Sequence, residues 1–109
     1  MEPFDLNTLV EYGFPNPDYF NFNDDGSLTY GNYGGQNYSA GEFGGTITGT
    51  PEDPPPVDAY DQEFYEHDLV AQTSSDPEVL LQSHVDVVQD VAGLLANAFS
   101  ALVADLAFA

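Results

Sequence analysis

The sequence predicts a mainly α fold: a two-helix antiparallel hairpin core, a glycine-rich loop ahead of it, and an irregular amino-terminal segment. Three observations predict this. Residues 58–73 and 77–108 each carry apolar side chains at helical spacing. Only Ser74, Ser75 and Asp76 separate the two stretches, a connection short enough to turn one helix back along the other. Residues 25–56 are rich in glycine and end in a proline run, which suits loops and breaks regular structure. At 109 residues the chain suits a single domain, 1–109.

In residues 1–24 the apolar positions, among them Phe4, Leu9, Tyr12, Phe14, Tyr19, Phe20 and Phe22, are spaced too irregularly for a clean strand. A short helix near residues 3–11 is expected. The aromatic rings are expected to cover a core that has few aliphatic residues in this half, or to form an apolar rim for a lipid chain. Asn23-Asp-Asp-Gly26 reads as a turn. Then come Thr29-Tyr-Gly-Asn-Tyr-Gly-Gly-Gln-Asn37 and Gly41-Glu-Phe-Gly-Gly45, where glycine density opens backbone conformations that let carbonyls point inward at a ligand. Thr46-Ile47-Thr48 suits a short extended piece.

Pro51 to Pro56 ends regular structure and leads rigidly into the first long helix. Asp58 reads as its N-cap, and Asp61 adds charge favourable to the first turn. From about Ala59 to Thr73, Tyr60, Phe64, His67 and Ala71 share one stripe, expected to be the buried one, with Asp68 at its edge. Ser75-Asp-Pro-Glu78 is a capping-box pattern opening the second helix, from about Pro77 to Phe108. Its expected apolar stripe includes Leu81, His84, Val88, Val91, Leu95, Phe99, Leu102 and Leu106.

Charge narrows the function classes. There is no lysine or arginine against 19 acidic residues, a formal charge of −19, so self-repulsion opposes compaction. Nucleic acid and anionic membranes are repelled, which leaves a zwitterionic or calcium-coated surface as a lipid partner. Without cysteine there are no disulfides and no thiolate metal sites. Abundant carboxylates and only two histidines favour a hard cation, calcium first and magnesium second. No uninterrupted apolar run reaches the roughly 18 residues of a membrane span, and the amino terminus lacks the pattern of a signal peptide. A soluble chain is expected, exported, if at all, by a signal outside this sequence.

His67-Asp68 is the place where chemistry is expected. Neighbouring side chains on a helix diverge by about 100°, so His67 can activate a water while Asp68 holds a cation. Asp86 or Asp90, on the second helix, could hold the other ring nitrogen. Folding the hairpin near Ser74 and Ser75 favours Asp86, whereas the small Ala92 and Gly93 follow Asp90 and suit a close helix contact. His84 suits burial or a contact with a partner.

The run Pro56-Val-Asp-Ala-Tyr-Asp-Gln-Glu-Phe-Tyr-Glu-His-Asp68 resembles the secreted phospholipase A2 family, including its compact bacterial and viral members. Thr29-Tyr-Gly-Asn-Tyr-Gly-Gly35 is similar to that family's calcium loop, and the likeness spans roughly residues 29–92. It implies that carbonyls near Tyr33, Gly35 and Asn37 join Asp68 around Ca2+. It also implies that His67 activates the water attacking the sn-2 ester of a glycerophospholipid, in a secreted enzyme. Asn32, Gly34, Glu63 and Phe64 stand where the family usually has cysteines, and Ala71 stands in place of a tyrosine.

The charge also suits a different protein: a non-enzymatic acidic module that docks on a basic partner, imitating nucleic-acid phosphate, or a calcium-binding adhesive module. The apolar second helix, with Leu94, Leu95, Phe99, Leu102, Val103 and Leu106, is expected to bury against the amino-terminal aromatics or against another chain. That other chain would be a second copy or a basic protein.

Overall fold

Prolines and acidic caps decide where the two long helices begin. The computed structural model describes residues 6–107. Expectations for Phe4 and for residues 3–5 of the first helix lie outside the described residues. Helix α1 is Leu6–Tyr12, and α2 is Ala59–Thr73, which begins at Asp58, an extended residue whose side chain accepts the Asp61 amide. It stops at Ser74, which is again extended. Helix α3 is Pro77–Ala107. Here the cap is Asp76 and not Ser75: its carboxylate accepts the Glu78 amide at 2.9 Å, directly ahead of Pro77, whose missing N–H costs nothing at the first helical position.

The long helices run antiparallel. Val70 lies across from Val79, His67 from His84, and Glu63 from Asp90. At about 1.5 Å per residue, α3 is roughly twice as long as α2 and overhangs it. The overhang is partly covered by the amino-terminal segment, where Gly13 packs on buried Ala98 and the Tyr12 hydroxyl donates to Asp105. The face of α3 turned inward is the row with Leu80, Ser83, Val87, Val91, Leu94 and Ala98. Of the expected stripe, Leu81, Val88, Phe99 and Leu106 are between 61% and 67% exposed. The helix is apolar around more than half its circumference, so helical spacing alone does not single out the inward sector: Val91 and Leu102 of the expected stripe are half-buried, while the inward row otherwise lies about one residue step from it. Over Pro77–Leu106 its most apolar 18-residue window has a mean hydropathy of 1.6, and α3 is long and apolar enough to cross a membrane. Asp86 and Asp90 interrupt the run, which is why a count of consecutive apolar residues falls short.

Two small hairpins lie between α1 and α2, where sequence spacing predicts no strand. β1 (Phe20–Phe22) pairs antiparallel with β2 (Leu28–Tyr30), Phe20 opposite Tyr30, around the expected Asn23–Gly26 turn. β3 (Tyr38–Ser39) pairs with β4 (Glu42–Phe43). Strands of two or three residues are too short to leave an alternating pattern. Tyr30 is the centre of the core: the rings of Tyr19, Phe20, Tyr60 and Phe64 stand edge-on around it at centroid distances of 4.7–6.4 Å. Phe22, by contrast, is 86% exposed.

Candidate functional site

A fully buried carboxylate ties the glycine-tyrosine loop to α2. Asp61 has no exposed surface, and its oxygens accept the main-chain N–H groups of Asn32 at 3.0 Å, Tyr33 at 2.9 Å and Val57 at 3.0 Å. In a chain without lysine or arginine these amides are the donors that satisfy it. Asp61 is the expected first-turn acid, but it is buried as well: helix α2 has a second buried side, polar in sequence, facing the loop. Gly31 is required beside it. Its φ is +56°, and a Cβ there would lie 2.6 Å from the Asp61 carboxyl carbon. A Cβ on Gly34 would lie 2.8 Å from the Phe64 ring, so loop and helix are in direct contact there too.

The same polar side of α2 continues into a cavity of about 530 Å³ lined by Gly35, Asn37, Ser39, His67, Asp68 and Gln72, among others. Gln72 braces its rim by bonding both main-chain groups of Ile47, its Oε1 accepting the Ile47 amide at 2.9 Å and its Nε2 donating to the carbonyl. Ile47 is buried, so the extended piece expected at residues 46–48 is held by a side chain in place of a strand partner. Ala71 lies at the same cavity and is exposed, which removes it from the buried stripe.

Asp68 has one hydrogen bond, accepted from the Ser39 hydroxyl at 2.9 Å. Burial pushes its carboxyl up to about 6, opposed by the Ser39 bond and helped by the negative charge of Asp61. His67 Nδ1 lies 3.8 Å from an Asp68 oxygen, and the two side chains are 21% and 20% exposed. Its other nitrogen, Nε2, is 2.7 Å from His84 Nδ1, with the rings tilted 40° at a centroid distance of 4.6 Å. Burial first, and the neighbouring His84 second, pull the His67 pKa below its ordinary value.

The sequence-expected residues therefore divide. His67, Asp68, Gly35 and Asn37 come together at one cavity. Tyr33 is 1% exposed; its ring packs on Tyr65 and its hydroxyl donates to the Pro54 carbonyl, so the side chain points away from the cavity's lining. Burial pushes its pKa up to about 12. Asp86 and Asp90 line a second cleft of about 270 Å³ with His67, but His84 occupies the ring nitrogen expected for one of them. Asp86 instead accepts from Gln82 at 2.8 Å. Asp90 faces Glu63, whose carboxyl is pushed up to about 7 by burial, then by the hydrogen bond with Asp90 and the charge of Glu66. His84, expected to be buried or to meet a partner, is exposed and pairs with His67 instead, while Ser39 and Gln72 carry no signal in the sequence; each of the three acts through a residue distant along the chain.

Among the described residues no group of three or more His, Cys, Asp or Glu side chains is placed to hold a metal ion. Compared with protein-family models, curated proteins and solved structures, the chain matches none.

Proposed function

We propose that this protein is a calcium-dependent, phospholipase A2-like hydrolase acting on the sn-2 ester of glycerophospholipids. The observation that carries the proposal is the single cavity at which His67 and Asp68 of α2 meet Gly35 and Asn37 of the glycine-tyrosine loop. Contact of Gly34 with Phe64, two positions where the resembled family usually has cysteines, supports the same alignment.

A calcium ion fits the donor chemistry: one carboxylate, Asp68, and main-chain carbonyls near Tyr33, Gly35 and Asn37, all oxygen, with water completing the shell. Tyr33 would contribute only its main chain. The half-buried Asp68 carboxylate has a single neutral donor and an anion nearby, so a cation beside it relieves an existing electrostatic cost. When bound, calcium supplies positive charge that polarises an ester carbonyl and stabilises the oxyanion.

The chain's own residues handle the proton. With the His67 Nε2–H donated to His84 Nδ1, the lone pair of His67 Nδ1 is free to accept a proton from water as the water oxygen attacks the ester carbonyl. The same Nδ1–H then protonates the departing glycerol oxygen, releasing a fatty acid and a lysophospholipid. A lowered pKa keeps the ring in its basic form at neutral pH. The supporting role first assigned to Asp86 or Asp90 passes to His84 in this scheme. The charge of −19 favours a zwitterionic headgroup over an anionic one, and the proposed activity suits a secreted setting, where calcium is abundant.

The test is fatty-acid release from phosphatidylcholine vesicles with calcium or with chelator, comparing the protein with His67→Gln. Loss of a general base lowers the rate by about 10²–10⁴. Equal rates for the two proteins overturn the proposal. The absence of lysine and arginine favours one second reading, an acidic module that docks on a basic protein. Salt-sensitive binding of a basic protein, unchanged by His67→Gln and by chelator and without lipid turnover, selects it.

A further inference from the structure

The outward face of α3 is organised more strictly than solvent requires. Leu81, Val88, Leu95 and Leu102 recur every seven residues. Val85, Ala92, Phe99 and Leu106 follow each of them by four. This is an unbroken heptad seam, 3–4 spaced and wholly apolar, and all of it is exposed except Leu102, which is half-buried. A membrane surface asks only for apolar character on one side. Alternation of three and four residues is what a second helix needs to insert its side chains between these.

Charge identifies the occupant. The positions flanking the seam are Gln82, Gln89, Ala96 and Val103 on one side and His84, Val91 and Ala98 on the other; only Asp105, at the far end, is acidic. In a chain of 19 acidic residues, the other two carboxylates of this helix segment, Asp86 and Asp90, fall outside the seam and its flanks. A basic partner would be met by acidic flanks, which set partner choice in paired helices. Neutral flanks instead let two copies of the same strongly negative chain approach without opposing like charges. From the exposed fractions of Leu81, Val85, Val88, Leu95, Phe99, Val103 and Leu106, the face offers roughly 700 Å² per copy, near the ~800 Å² per partner of a stable interface. An apolar groove of about 330 Å³ between Phe64, Val88, Ala92 and Leu95 runs beside the seam and can receive a side chain from across it.

We infer that the protein is a homodimer in which the α3 helices of two copies pair along this seam. Sedimentation equilibrium in physiological salt tests it, with Val88→Glu and Phe99→Glu as seam variants and Asn97→Glu, on a position outside the seam, as the charge control. The expected result is a species of twice the 11.8 kDa chain mass for the protein and for Asn97→Glu. For either seam variant the dissociation constant rises by on the order of a hundredfold or more, with unchanged helical circular dichroism. Val88→Gln and Phe99→Gln, which add no charge, shift it in the same direction and keep the test valid where a glutamate variant fails to fold. A monomer at tens of micromolar overturns the inference. So does a dimer that persists in folded seam variants, or a monomer that binds phosphatidylcholine vesicles through the same residues.

Discussion

Replacing Asp61 with asparagine removes the anion to which the Asn32 and Tyr33 amides of the loop are tied, with almost no change in shape. One carboxylate oxygen accepts both the Asn32 and Val57 amides and the other accepts Tyr33. In the variant the amide oxygen keeps the two-fold position, and the new NH2 group faces the Tyr33 N–H, donor against donor. One charge-assisted bond is lost, two are weakened to neutral strength, and a buried N–H is left unpaired. At about 1.5–3 kcal/mol for a hydrogen bond to a charged group and about 1 for a neutral one, the lost and weakened bonds total roughly 3–7 kcal/mol; relief of the buried charge's desolvation offsets part of this and leaves a net cost of about 2–3 kcal/mol. For a domain whose total stability lies within ~5–15 kcal/mol, that is a large fraction. Asp61→Ala leaves all three amides unpaired and costs more, so asparagine is the more informative change. Urea unfolding followed by circular dichroism at 222 nm should show the midpoint falling by about 1–2 M with the slope unchanged. Hydrogen exchange should accelerate selectively at Asn32, Tyr33 and Val57. A midpoint shift under ~0.3 M, or uniform acceleration of exchange, would refute the argument that this carboxylate holds the loop.

Gly31→Ala should cost at least ~2 kcal/mol in the same unfolding assay, and less when Asp61→Asn is already present, because both changes disturb one contact. Tyr30→Phe removes the hydroxyl that donates to Asp58 and accepts the Asn16 amide at 3.0 Å, and should lower stability by about 1–2 kcal/mol without altering calcium response. Glu63, raised from 4.5 to about 7, opposes folding when ionised, so its cost is complete above pH 7 and fades as pH falls toward 4.5. The melting temperature should therefore rise from pH 8 to about 6.5, and Glu63→Gln should flatten that rise and melt higher at pH 8. Below 6.5 the depressed His67 works in the opposite direction, its contribution being lost as the unfolded chain takes up the proton first. Calcium at about 100 times its dissociation constant should stabilise the protein by about 2.7 kcal/mol, and Asp68→Asn should abolish the shift. A shift that survives Asp68→Asn would place the ion elsewhere.

Local chemistry made part of this readable in advance. Helix α2 begins and ends where Asp58, the proline run and Ser74 imply, because caps act within a few residues of themselves. What went unread depends on encounters between distant segments. The polar side of α2, with Asp61, Asp68 and Gln72, resembles a solvated face until the loop's amides and the Ile47 main chain arrive to bond it. The inward sector of α3 could not be told from its neighbour, since leucine and valine occupy both, and only the position of α2 distinguishes them. His84 shares a wheel sector with apolar residues, yet its ring meets His67. Both hairpins rest on pairings of two or three residues, with no periodic trace.

Acids in this molecule find their neutralisation in peptide groups. Asp61 takes three amides; Asp53 takes those of Thr48 and Gly49 together with the Tyr65 hydroxyl; Asp58 takes the Asp61 amide and the Tyr30 hydroxyl. Dissolved electrolyte weakens attraction between opposite charges, but there is no guanidinium or ammonium side chain here for it to unpair. Its effect falls on repulsion alone, so added sodium chloride should strengthen the fold steadily, a behaviour familiar from proteins adapted to brine.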